Sequence, residues 1–207
     1  ISVIRSWTEL KNNGEEDLGV EYVSSFALLG IDKEGLLSTD EKLEVLIARN
    51  AWQKELIWNR FSMDQLGMSI SQPDKVRRSS QTISVGNTGN WSTKNYLPMG
   101  CLKNKETDSI LFWQIEQNGS WYWEISDQDG HMYLQLSGPT EHQSHWWKNL
   151  KPGDTFASVP VSVGSACGDV EEAAGELTKY RRAIRRKNED NEKLPVIFND
   201  YMNCLWG

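Results

Sequence analysis

Leu111-Phe112-Trp113-Gln114-Ile115-Glu116-Gln117-Asn118-Gly119-Ser120-Trp121-Tyr122-Trp123-Glu124-Ile125 carries the clearest structural pattern in this chain. Leu111, Trp113 and Ile115 recur at every second position, and so do Trp121, Trp123 and Ile125. Period-two alternation of this kind marks strands with one buried face. Asn118-Gly119 between them reads as a turn. A two-residue turn would set Glu116 against Trp121 and Gln114 against Trp123, mixing polar and apolar residues on each face. A three-residue loop, Gln117-Asn118-Gly119, sets Ile115 against Trp121, Trp113 against Trp123 and Leu111 against Ile125. Register follows the apolar face, so the three-residue loop is predicted, with Gly119 left-handed. Gln114, Glu116, Tyr122, Glu124, Tyr133 and Gln135 then share the opposite face, either solvated or a polar interface.

Downstream, Asp127-Gln128-Asp129-Gly130 turns the chain into His131 to Ser137, where Met132, Leu134 and Leu136 continue the apolar face. This is an antiparallel meander, half of a β-sandwich. Lys151-Pro152-Gly153-Asp154 is a further turn. Thr155 to Val163 reads as one strand, and Pro160, which cannot donate to a ladder, predicts an edge position for it. Composition changes after residue 168. Asp169 with Glu172 three residues on forms a capping-box signature, and Val170, Ala173, Ala174, Leu177, Tyr180 and Ile184 keep helical spacing. Acidic residues lead this helix, and Arg181, Arg182, Arg185, Arg186 and Lys187 close it, the order that the helix dipole favours. A solvated face accounts for the arginines. Asn188 to Glu192 reads as a polar linker.

Upstream, Ser2 to Trp7, Val20 to Leu29, Leu43 to Ala48 and Ser79 to Val85 are candidate strands, and Asn50 to Trp58 is ambiguous between helix and strand. No period of 20 to 50 residues repeats, which excludes propellers and solenoids. The length of 207 residues permits one large or two small domains with a substantial core. A net charge of −7 argues against nucleic acid as a partner and suits a neutral ligand. No apolar run reaches membrane-spanning length. Cys101, Cys167 and Cys204 are odd in number and widely spaced, which fits neither a disulfide framework nor a zinc site and favours a reduced, cytoplasmic setting. Ten tryptophans are the compositional anomaly. They serve either as sandwich core or as platforms on which a sugar ring stacks, and core is the plainer account.

Motifs with chemistry are few. His142 and His145 stand three apart beside Glu141, a spacing that holds a metal on a helix. Gly138-Pro139 before them and Trp146-Trp147 after predict a loop, without a third ligand, so no metal site is assigned. No glycine-rich phosphate loop, Gly-x-Ser-x-Gly elbow or His-Glu-x-x-His motif occurs.

The last stretch gives the chain its proposed context. Val196-Ile197-Phe198, opened by Pro195 and following the charged helix, reads as a strand buried on both faces, the kind found in parallel sheets. Asn199, Asp200, Tyr201 and Asn203 follow, and the C-terminal ends of barrel strands are where (β/α)8 active sites are built. Pro195 to Asn203 resembles the opening of the catalytic barrel in α-galactosidases of glycoside hydrolase family 36. The resemblance extends through Gln114-Ile115-Glu116, Gly119-Ser120-Trp121, Trp123-Glu124-Ile125, Ser137 to Glu141 and Trp146-Trp147-Lys148, roughly the second half of the chain.

The resemblance implies a mainly β fold: an antiparallel β-supersandwich over residues 1–168, a connecting helix and linker over 169–193, and from 194 the first strand of a truncated (β/α)8 barrel. It implies part of a retaining hydrolase that removes terminal α-linked galactose from oligosaccharides by double displacement, with neither metal nor organic cofactor. Retaining glycosidases use two carboxyl groups about 5–5.5 Å apart. The family draws both from later barrel strands, so no catalytic residue is assigned here. Asp200 is expected to hydrogen-bond a galactose hydroxyl, and Tyr201 to form an aromatic wall where some relatives carry tryptophan. Capping of the strand end by Asn199 and Asp200 is the competing account. A homo-oligomer is expected of the complete protein. A carbohydrate-binding or oligomerisation module without catalysis is the alternative for the chain as a whole.

Overall fold

The computed structural model describes residues 1–68, 81–128 and 130–198. In chain order the strands are β1 Val3–Ser6, β2 Glu9–Lys11, β3 Leu18–Val20, β4 Ser24–Leu29, β5 Leu43–Ala51, β6 Lys54–Ser62 and β7 Thr82–Asn87. They continue with β8 Tyr96–Asn104, β9 Ser109–Ile115, β10 Trp121–Gln128, β11 His131–Ser137, β12 Lys148–Leu150, β13 Thr155–Ala157 and β14 Val161–Cys167. The helices are α1 Thr39–Lys42, α2 Glu141–Ser144, α3 Val170–Ile184 and α4 Glu189–Lys193.

A six-stranded antiparallel sheet, β1-β14-β9-β8-β5-β6, faces a four-stranded one, β4-β11-β10-β7. Two short pairs, β12 with β3 and β13 with β2, complete the β structure. One core lies between the large sheets. Val45, Leu102, Trp113 and Ile115 enter it from the first, and Trp121, Trp123, Ile125, Leu134 and Leu136 from the second. The smaller sheet follows the simple alternation, with burial switching residue by residue from Trp121 to Ile125 and from His131 to Leu136. The larger sheet is covered on both sides. Leu46, Cys101, Ile110 and Phe112 point away from the sandwich and meet Ala173 and Leu177 of α3. The molecule is therefore three layers, sheet on sheet on helix, each burying the apolar face that the next exposes.

Large aromatics fit into this middle layer because glycines lie across from them. Trp113 pairs with Gly100 and Phe112 with Gly164. A Cβ on Gly100 would come within 2.5 Å of the Trp113 ring, and one on Gly164 within 2.4 Å of the Phe112 ring. Adjacent positions on β9 thus send one ring to each face of the sheet, and each ring lies over a residue without a side chain.

Several expectations need correction. Leu111–Ile125 is not a hairpin. β9 pairs with β8 and β14, whereas β10 pairs with β7 and β11, so Gln117-Asn118-Gly119 carries the chain from one sheet to the other. Gly119 accordingly has no positive φ. Trp113 and Trp123 do face each other, but across the core rather than across a ladder. Alternation reports which face is buried and not what covers it. The polar set is divided in the same way. Gln114 belongs to the larger sheet, with Glu116 just past the end of β9, and Tyr122, Glu124, Tyr133 and Gln135 belong to the smaller. Thr155 to Val163 is two strands, and β14 lies inside its sheet, between β1 and β9. Pro160 sits in the break, where its carbonyl accepts the Glu116 N–H at 2.9 Å, so its missing donor costs no ladder bond.

The β10–β11 pairing stands as expected, with Trp123 opposite Leu136 and Ile125 opposite Leu134. So does the start of α3. Asp169 accepts from the Val170 N–H at 2.7 Å, and Glu172 from the Asp169 N–H at 2.8 Å. Arg60 on β6 also holds Asp169, with 2.7 Å to each carboxylate oxygen. Further along α3, the Tyr180 hydroxyl donates to Glu116 at 2.5 Å, and Arg5 holds the other Glu116 oxygen at 2.7 Å. Burial, and then the Glu116 carboxylate beside it, push the Tyr180 phenol up to about 12. The segment read as a linker contains a short helix, α4, capped by Asn188.

Candidate functional site

Asp200 and Tyr201 lie outside the described residues, as do Asn199 and Cys204. The run leading to them is described. Leu194 closes α4 in a left-handed conformation. After it Val196, Ile197 and Phe198 are 100%, 84% and 78% exposed and pair with no strand among the described residues. Before it, Arg181 of α3 and Arg185, just past its end, join Leu177, Ile184, Met99 and Gln114 around an open groove of about 750 Å³ on the outer face of the larger sheet.

His142 and His145 are not in an irregular loop. Residues 141–144 form the single turn α2, in which Thr140 accepts the Gln143 N–H at 3.0 Å, and His145 closes that turn in a left-handed conformation. Among the described residues, no group of three or more His, Cys, Asp or Glu side chains is placed to hold a metal ion. Cys101 is buried, Cys167 exposed, and both are free thiols. No helix among the described residues is long and apolar enough to cross a membrane. Of the tryptophans, Trp113, Trp121 and Trp123 are core, whereas Trp7, Trp52, Trp91 and Trp147 are substantially exposed and sit on different elements.

A pocket with polar lining lies on the outer face of the smaller sheet, with a volume of about 330 Å³. Its floor follows from strand alternation. Glu124 on β10 stands opposite Gln135 on β11, and Tyr122 crosses Gly86 on β7. The Tyr122 hydroxyl donates to one Glu124 oxygen at 2.5 Å, and the Tyr133 hydroxyl donates to the other at 2.8 Å. Gln135 donates its amide to the hydroxyl of Tyr22, which comes from the loop before β4. Thr140, Glu141, His142 and Gln143 form a rim, tied to that loop by the Glu141 N–H donating to the Glu21 carbonyl at 2.8 Å.

Burial and then the Glu124 charge push the Tyr22 phenol up to about 12. Tyr122 and Tyr133 are raised by burial and by their bonds to Glu124. All three therefore stay protonated at neutral pH. With both oxygens engaged by phenols, Glu124 is arranged as a fixed acceptor and not as a nucleophile. The pocket is built for recognising polar groups. Sequence alternation placed Tyr122, Glu124, Tyr133 and Gln135 on one face. It held no signal for Tyr22, more than a hundred residues away, or for the rim.

No protein-family model matches the sequence, and no curated protein matches it. The fold does match solved structures. One is the variant glycoside hydrolase family 36 α-galactosidase AgaA from Geobacillus stearothermophilus in complex with stachyose, at TM-score 0.71 and 14% identity over 92% of this chain. Others are the α-galactosidase from Lactobacillus brevis, at TM-score 0.67, 14% identity and 87% coverage, and the galactosidase domain of the α-galactosidase-sucrose kinase AgaSK, at 0.62, 19% and 80%. This chain spans 24%, 22% and 20% of those three chains. The sandwich fold described above is thus shared with a part of these larger proteins.

Proposed function

We propose that this chain is the N-terminal, non-catalytic sandwich of a retaining α-galactosidase that removes terminal α-linked galactose from oligosaccharides. The observation that carries this reading is the fold likeness over 92% of the chain to less than a quarter of an α-galactosidase. The exposed Val196-Ile197-Phe198 run supports it. Three consecutive apolar side chains that are 78% or more exposed are in the state expected of a strand whose partners belong to another unit. In this reading Pro195 to Phe198 opens a (β/α)8 barrel. Asp200 and Tyr201 then stand at the mouth of its first strand, as hydrogen-bond partner and aromatic wall for galactose. The catalytic carboxyl pair belongs to later strands, no metal or organic cofactor takes part, and the sandwich assists homo-oligomer assembly. The free thiols suit a cytoplasmic setting.

Hydrolysis of an aryl α-galactoside tests the reading. The complete protein should release galactose with retained anomeric configuration, followed by proton NMR, and the 207-residue chain alone should release none. Turnover by the isolated chain, or inversion by the complete protein, would refute it.

A further inference from the structure

The pocket on the outer face of the smaller sheet has a donor and acceptor pattern that selects its ligand. Glu124 keeps lone pairs beyond those taken by Tyr122 and Tyr133. The Tyr22 oxygen accepts from the Gln135 amide, which leaves its own proton to donate. A ligand group here meets an acceptor and a donor side by side. Ammonium and guanidinium groups are attracted by Glu21, Glu124 and Glu141, but they only donate and leave the Tyr22 donor unmatched, so a cationic probe competes directly with a neutral hydroxyl here. Phosphate or carboxylate groups only accept, and Glu21, Glu124 and Glu141 repel them, with no lysine or arginine in the lining. A neutral hydroxyl does both. Vicinal hydroxyls on a ring repeat that pattern at the spacing of neighbouring side chains, and the rings of Tyr22 and Tyr122 supply the apolar surface that a sugar's C–H face packs on. At about 330 Å³ the space is near the small end of ligand sites, about 300–1,000 Å³, which suits one hexose unit.

We propose that Tyr22, Glu124 and Gln135 form a binding site for one neutral hexose unit, in which Glu124 accepts from a sugar hydroxyl and Tyr22 donates to one. The site is contained within this chain. It therefore stands or falls independently of the α-galactosidase reading, and hydrolysis assays do not report on it.

Calorimetric titration of the 207-residue chain with methyl α-galactoside and methyl α-glucoside tests it, with lysine methyl ester and inorganic phosphate as the cationic and anionic probes. We expect saturable, millimolar binding of at least one hexoside and none of either charged probe. Tyr22→Phe keeps the ring and removes only the free donor, and Glu124→Gln keeps the shape and removes the charge. Each should weaken the hexoside at least about fivefold, since hydrogen bonds to charged groups are the strong ones. Unchanged melting temperature in Tyr22→Phe shows that the loss is not unfolding. Trp147→Ala removes an exposed indole away from the pocket lining and should leave affinity unchanged. No saturation by either hexoside, stronger binding of the lysine ester or phosphate, or affinity that falls in Trp147→Ala but not in Tyr22→Phe would each overturn the proposal.

Discussion

Trp113 and Trp123 meet edge to face across the sandwich, with ring centroids 5.1 Å apart and planes at 76°, although their strands belong to different sheets. Neither ring exposes any surface, and both indole N–H groups are buried without a hydrogen-bond partner. The pair therefore contributes packing between the two layers, with a polar cost inside it.

Trp123→Ala should destabilise the chain by about 3–5 kcal/mol, the usual cost of emptying a large aromatic site. Trp123→Phe should cost less than half as much, because it keeps an aromatic ring and removes the unpaired N–H. Urea unfolding of the two variants checks both. Equal losses would show that the N–H carries no penalty.

Gly100→Ala should cost about 1–3 kcal/mol by overpacking, since its Cβ would lie 2.5 Å from Trp113. Combining it with Trp113→Phe should cost less than the sum of the two single changes, because the smaller ring vacates the space that the methyl needs. A double-mutant cycle measures this coupling, and strict additivity would mean that the strain is relieved elsewhere.

Glu106 accepts the Leu36 and Leu37 N–H groups at 2.8 and 2.9 Å, which ties the loop before α1 to the β8–β9 turn. These two bonds hold its carboxyl below the ordinary 4.5. A lowered carboxyl contributes stability that is complete above the unfolded value, near pH 4.5, and is lost as pH falls through the lower folded value. The Leu36 and Leu37 amide resonances should accordingly titrate with a midpoint below pH 4.5 and stop titrating in Glu106→Gln. A midpoint at or above that pH would contradict the assignment.

In the complete protein, Asp200→Ala should lower kcat/KM by at least about tenfold, equivalent to about 1.4 kcal/mol, with the fold intact. This follows if Asp200 holds a substrate hydroxyl whose hydrogen bond strengthens in the transition state. If Asp200 instead caps a strand end, melting temperature falls and kinetics in the folded fraction stay near normal. Both measurements on one variant separate the two roles.

Local pattern identified the residues of the central core on β9, β10 and β11, though not the second apolar face of the larger sheet under α3. Alternation along Leu111–Ile125 and Met132–Leu136 named the core face, and Asp169 with Glu172 set the start of α3, because side-chain period and helix capping are local physics. What each face meets is set by the assembled layers. Trp113 packs on Trp123 across two sheets and not across a hairpin, and Pro160 lies in a break within an interior run rather than on an edge. The Tyr22 hydroxyl reaches Gln135 from 113 residues away. Such pairings depend on how much apolar surface each alternative arrangement buries. That is a property of the assembled layers, and no local period encodes it.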